Sequence, residues 1–243
     1  MGEHRHAAII GGQRCGSTLL ASLLAGHPDI RLAQPERPEP KFFLHSGDHD
    51  EYHRLHFPIE APLLLEKSTT YLERPDSALR MREFQGGVRP IVVLRDPVER
   101  AISNWRFSRQ NGLEDLPARI AFSKESERRP YPGTMSTSPF HYLRRSNYST
   151  LLRPWIESTG VGGMSFLLFE SLIADPEKVL TALQAELGLN VHKPANMGRV
   201  NVSAATDTIG PDLITRLRVT LRPEAEAIAR FIPEAALLWP TLA

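Results

Sequence analysis

The 243 residues contain a single cysteine, Cys15, so an intramolecular disulfide framework is excluded. No charge of one sign dominates: 29 Lys and Arg against 28 Asp and Glu leave a net charge of +1. Such a chain is no polyanion trap. Any basic site has to be local, and nucleic-acid binding is not the expected role. Long apolar runs are missing as well; none approaches the ~18 residues of a membrane span. The polar start Met1-Gly2-Glu3-His4-Arg5-His6 leads straight into an apolar stretch, without the pattern of a secretion signal. These absences together predict a cytoplasmic protein. What is present is ordinary for a globular chain, 41% hydrophobic and 23% charged, with length enough for one domain over residues 1–243.

Short apolar runs alternate with helical periodicity, the pattern of an α/β fold with a central, mostly parallel sheet flanked by helices. Strands are expected near Ala7–Ile10, Asp29–Ala33, Leu63–Lys67, Pro90–Leu94 and Ser165–Phe169. Continuously apolar runs of this length suit strands covered on both faces. The first helix carries Leu19, Leu20, Leu23 and Leu24 on one side and stops at Gly26. A second opens on Asp96 as N-cap with Pro97 at its first position and Glu99 three residues on. Its stripe of Val98, Ala101, Ile102 and Trp105 is predicted to be buried, with Ser103 off the stripe. Asp175-Pro176 opens a third helix that closes near Gly188, and 216–238 reads as helical with an interruption at Pro223. Residues 34–62 and 109–149 lack periodicity and are expected to form functional loops.

Two strand ends carry phosphate chemistry. Gly11-x-x-x-x-Gly16-Ser17-Thr18 nearly matches the P-loop pattern, but Ser17 stands where its lysine belongs, and the cation has moved to Arg14. Backbone N–H groups at the helix start would still cradle an anion, with two hydroxyls added. The missing lysine disfavours a triphosphate. The second corner is Leu94-Arg95-Asp96-Pro97-Val98-Glu99-Arg100 with Ser103. Alone, Arg95 reads as a surface arginine pairing with Asp96 or Glu99; two such corners in one sheet point to a nucleotide with two separate anionic groups.

These segments resemble the sulfotransferases that use 3′-phosphoadenosine 5′-phosphosulfate (PAPS), in particular the branch of heparan-sulfate and bacterial enzymes. The fold implied is P-loop-like, three layers deep. Gly12, Gln13, Arg14, Cys15, Gly16, Ser17 and Thr18 are similar to the loop that binds the 5′-phosphosulfate; Arg95 and Ser103 match the residues that bind the 3′-phosphate. Glu39-Pro40-Lys41-Phe42-Phe43 is similar to the E-x-x-F-F segment whose glutamate is the proposed base. Leu65-Glu66-Lys67-Ser68 is similar to the E-K-S/T segment whose lysine lies at the sulfuryl group. Tyr148 to Trp155 and Leu172 to Pro176 match more loosely, and Arg199-Val200-Asn201 stands where a loop closing over the nucleotide would begin.

The resemblance implies sulfuryl transfer, with Glu39 as general base and Arg14 and Lys67 stabilising the leaving phosphate, and with no metal. The rival classes are a P-loop nucleotide kinase and a non-catalytic nucleotide-binding protein. Glu36 is a weaker candidate base, three residues from Glu39, and the resemblance also leaves one of His45, His49 and His53 open as the base, as in the cytosolic branch of the family. A solvated loop carboxylate and a lysine snorkelling into water are the plain readings of Glu39 and Lys67. His45, His49 and His53 have helical metal-ligand spacing, but Ser46-Gly47 argues against a helix there. Cys15 reads as a small spacer in the cradle, sensitive to oxidation. Arg106, Arg109, Arg119, Arg128, Arg129, Arg144, Arg145 and Arg153 read as a solvated face balanced by Glu114, Asp115, Glu125 and Glu127. The acceptor is expected to be a small-molecule, lipid-like or carrier-bound hydroxyl.

Overall fold

The structure, a computed structural model, describes residues 5–129, 136–193 and 208–243. In chain order its elements are β1 (Arg5–Gly11), α1 (Ser17–Leu24), β2 (Ile30–Leu32), α2 (His49–His56), β3 (Leu63–Lys67), α3 (Pro75–Glu83), β4 (Val88–Leu94) and α4 (Pro97–Gln110). There follow α5 (Ala118–Ser123), α6 (Tyr148–Thr159), β5 (Ser165–Leu168), α7 (Phe169–Ala174), α8 (Pro176–Glu186), α9 (Pro211–Ala229) and α10 (Glu234–Leu238). The chain divides into two compact units, one from 1–94 and 152–200, the other from 95–151 and 201–243. Helix α6 begins in the second and continues into the first.

The first unit holds a five-stranded sheet in the order β2-β3-β1-β4-β5. Every neighbouring pair is parallel. All five strands fall on the runs read from the sequence. Along β1, Ala7 and Ile9 face α1, α7 and α8, joined by Leu63 and Leu65 of β3, Ile91 and Val93 of β4 and Leu167 of β5. Each Leu, Ile or Val among them contributes about 1.5–3 kcal/mol when fully buried. Alternation turns His6 and Glu66 to the other face, where His6 meets Phe84 and Glu66 meets Tyr52 of α2.

The second unit is built on α4. Its stripe of Val98, Ala101, Ile102 and Trp105 packs with Ala121, Phe122, Tyr142, Leu217 and Leu221, as the period-3.6 pattern predicts. Asp96 caps the helix by accepting from the Val98 and Glu99 N–H groups, and also receives the N–H and hydroxyl of Thr241. One buried carboxylate thus starts a helix and ties down the C-terminal segment.

Three expectations change. A helix does form in 34–62, but α2 starts after Gly47, capped by Asp48, so His45 lies outside it. Its His49 and His53 rings pack against Phe84, at centroid distances of 4.2 and 6.2 Å. Helix α9 runs through Pro223. The carbonyl that loses its helical donor to this proline belongs to Val219, a residue 72% exposed, so it lies on the solvent side of the helix where such a loss costs least. Nor is the arginine-rich segment merely a solvated face. Arg145 is buried beside Asn104, and Arg128 reaches the wholly buried Glu114 carboxylate. Burial pushes the Glu114 carboxyl up, but Arg128, the Leu116 N–H and Tyr142 together hold it below the usual carboxylate range. Arg199-Val200-Asn201 lie outside the described residues.

Candidate active site

The loop after β1 turns tightly. Arg14 and Gly16 have φ of 67° and 86°, and a side chain at Gly16 would place its Cβ 2.7 Å from the Phe169 ring. The Gly12 N–H donates to the Val93 carbonyl at 2.7 Å, which pins the loop to β4. Gly16 is the N-cap of α1 and can supply no side-chain acceptor, so the first-turn N–H groups of Ser17, Thr18 and Leu19 receive no side-chain cap from it. An anion fits such an end in both charge and hydrogen bonding. Ser17 is buried, Thr18 exposed and Arg14 half-buried, while Gln13 donates to Glu73 at 3.4 Å. Cys15 is fully buried in the α1 core, which supports its reading as a spacer.

Strand β3 brings the next group to the same sheet edge. Lys67 pairs in register with Ile9, and the Ser68 N–H donates to the Ile9 carbonyl, so the end of β3 stands beside the start of the loop. Lys67 does not snorkel: its Nζ lies 2.6 Å from Glu39 Oε1. Glu39 also accepts from the Thr69 N–H at 3.1 Å, which makes it an anchored carboxylate. Glu36 is exposed, with none of these bonds. Geometry therefore brings Glu39, Lys67 and the β1 loop to one edge within the first unit.

Beneath them is a group that the sequence reading passed over. Glu66 is 1% exposed. It accepts from Ser68 Oγ at 2.5 Å, Tyr71 Oη at 2.5 Å and Tyr52 Oη at 2.6 Å. Burial raises its pKa above the ordinary carboxylate value of 4.5, and the three hydroxyls only partly offset that. Burial, and after it the same carboxylate, drives Tyr52 and Tyr71 well above the usual phenol range. The available signal was a carboxylate directly after Leu63-Leu64-Leu65 in the same strand, because a charge inside a buried strand requires donors.

In the second unit, Arg95 follows β4 and its guanidinium lies 3.8 Å from Glu99, a half-exposed pair of little energetic weight. Its carbonyl accepts from Tyr148 at 2.8 Å, which fixes the backbone there. Ser103 is half-buried on α4, off the apolar stripe as expected. No group of three His, Cys, Asp or Glu side chains is gathered for a metal among the described residues. Nor is any described helix long and apolar enough to cross a membrane.

Residues 4–201 match the sulfotransferase domain family. The chain belongs to that family. Over 188 residues this sulfotransferase-family chain is 31% identical to heparan sulfate glucosamine 3-O-sulfotransferase 3A1 of Mus musculus, covering 75% of this chain and 45% of the relative. Over 194 residues it is 32% identical to bifunctional heparan sulfate N-deacetylase/N-sulfotransferase 1 of Caenorhabditis briggsae, covering 74% and 22%. It therefore spans less than half the length of either relative. Among solved structures, the sulfotransferase from Alicyclobacillus acidocaldarius has a TM-score of 0.77 at 23% identity, covering 95% of this chain and 96% of the other. Mouse SULT7A1 complexed with PAP has a TM-score of 0.53 at 17% identity, covering 88% and 75%. At these identities the likeness concerns the fold, which is P-loop-like α/β in all three.

Proposed function

We propose that this chain transfers a sulfuryl group from PAPS to an acceptor hydroxyl, with residues 1–243 acting as one catalytic unit. The β1 loop binds the 5′-phosphosulfate through its uncapped N–H groups, Arg14, Ser17 and Thr18, and Gly12, Gln13, Cys15 and Gly16 shape the turn. Arg95 and Ser103 bind the 3′-phosphate. The acceptor oxygen attacks sulfur in line. The new O–S bond forms as the bond from sulfur to the phosphate oxygen breaks, and the electron pair leaves on the bisphosphate product. Glu39 takes the acceptor proton, a contribution of about 10²–10⁴-fold. Arg14 and Lys67 neutralise the charge that grows on the leaving phosphate, each preorganised donor being worth roughly 3–4 kcal/mol. Every charge in this scheme comes from side chains and backbone amides, so the reaction as drawn uses no metal.

The observation that carries the reading is the Glu39–Lys67 pair at 2.6 Å, placed by β3 beside a Gly-capped, lysine-free phosphate loop. A kinase would require ATP–Mg²⁺ at a loop that lacks the lysine for its terminal phosphates. The acceptor belongs to the small-molecule, lipid-like or carrier-bound hydroxyls, and a glucosamine oligosaccharide joins the panel because the relatives are named for it. The deciding experiment compares melting with 3′-phosphoadenosine 5′-phosphate (PAP) and with ATP–Mg²⁺. At one hundred times its dissociation constant a ligand adds about 2.7 kcal/mol. A shift with PAP alone supports the reading; a shift with ATP–Mg²⁺ alone replaces it with the kinase.

A further inference from the structure

The segment carrying Glu39 is not held by its own sequence. It passes through Lys41, a non-glycine residue at φ 56°, into a short 3₁₀ turn at Phe42–Leu44. A left-handed lysine before so short a turn needs outside support. The carbonyl side has it from α3: Ser77 Oγ and Arg80 donate to the Phe43 carbonyl, and Arg80 also to that of Leu44. The amide side is held differently. The Lys41 N–H donates to Ser68 Oγ at 3.0 Å and the Phe43 N–H to Tyr71 Oη at 3.0 Å.

Both hydroxyls are already committed. Ser68 and Tyr71 each give their single proton to Glu66 Oε1, so each presents a lone pair, and not a proton, to the turn. A carboxylate that accepts from both sets the direction of both hydroxyls. Tyr52 bonds to the same carboxylate, at Oε2, but through its hydroxyl it holds no amide of the turn.

We propose that Glu66, Ser68 and Tyr71 are positioning residues: the buried carboxylate orients two hydroxyls, these fix the 41–43 turn, and the turn sets Glu39 beside Lys67. None of the three touches a reacting atom in this scheme. Their importance for turnover rests on the reading of Glu39 as base, but their effect on the turn does not. Tyr52 supplies an internal contrast, since its hydroxyl makes the same kind of bond to Glu66 without reaching the turn.

The test uses the full chain with Ser68→Ala, Tyr71→Phe and Tyr52→Phe, followed by hydrogen exchange at residues 40–45 and by reductive methylation of Lys67. Ser68→Ala and Tyr71→Phe are expected to speed exchange at 40–45 about tenfold while α1 and α8 keep wild-type protection. Lys67 methylation is expected to rise in both to the level reached in Glu39→Gln, with the exposed Lys178 as the reference. Tyr52→Phe is expected to leave 40–45 and Lys67 as in wild type. Unchanged exchange at 40–45 in the first two variants overturns the proposal. So does faster exchange without a change at Lys67, or an equal effect from Tyr52→Phe. Should one variant lose protection throughout the chain, the other decides the outcome. PAP-induced melting of the wild type is run alongside. Its absence would remove the donor reading of the site, while exchange and methylation would still decide the fate of the turn.

Discussion

Lys67 Nζ stands 2.6 Å from Glu39 Oε1, and the two side chains are only 10% and 18% exposed. Under the roles proposed for them, Glu39 as base and Lys67 at the leaving phosphate, this contact couples the two side chains directly. Lys67→Ala is expected to lower turnover about 10²–10³-fold. Glu39→Gln is expected to lower it about 10²–10⁴-fold. The double variant is expected to lose little more than the worse single one, because each change breaks the same pair. The measurement is PAP release from saturating PAPS, and fully multiplicative losses would count against the shared role.

The Arg95 corner makes a prediction about binding that needs no acceptor. A hydrogen bond to a charged group is worth about 1.5–3 kcal/mol, so Arg95→Ala is expected to weaken PAP binding roughly 10–150-fold. Ser103→Ala removes a neutral donor, about 0.5–1.5 kcal/mol, and is expected to weaken it less. Adenosine 5′-phosphate lacks the 3′-phosphate, so its affinity should be the same in wild type and both variants. Calorimetric titration with the two nucleotides separates a 3′-phosphate site from a general loss of structure.

Gly16 and Gly86 share a left-handed backbone, φ 86° and 81°, but not an environment. A Cβ at Gly16 would stand 2.7 Å from the Phe169 ring, whereas nothing lies within 4 Å at Gly86. Gly86→Ala is therefore expected to cost only the backbone term, roughly 1–2 kcal/mol. Gly16→Ala adds a collision at the start of α1 and is expected to cost more and to weaken PAP binding. Urea midpoints of the two variants isolate the packing contribution.

The sheet was legible because its strands are built around short apolar runs that alternate with helical patterns, and Leu63–Lys67 matches the expected strand at both ends. Helix α4 was legible from Asp96-Pro97 and a stripe of period 3.6. Glu39 and Lys67 could be suspected only from short motifs, since their pairing depends on a turn that local propensity does not favour. Glu66 went unread because its partners Tyr52, Ser68 and Tyr71 come together only when α2 packs on β3. Pro223 misled in the opposite direction: a proline breaks a helix by default, but it is tolerated where the freed carbonyl meets solvent.

Glu66 also links stability to pH, with a sign that can be tested. Burial raises its folded pKa above 4.5, so the folded state holds the proton more tightly than the unfolded chain. The stabilisation this provides is complete below the unfolded value and disappears as pH rises through the folded one, at no more than about 1.4 kcal/mol per pH unit. Glu66→Gln carries no titrating group at this position. Its stability relative to wild type is therefore expected to improve as pH increases from about 4.5 upward and then to level off once Glu66 is ionised in the folded protein. Paired urea titrations of the two proteins across that range supply the difference directly, with other titrating groups cancelling. A wild type that instead gains on the variant with rising pH would mean that the hydroxyls of Ser68, Tyr52 and Tyr71 outweigh desolvation. Glu66 would then be held in the charged form by the bonds that orient the turn.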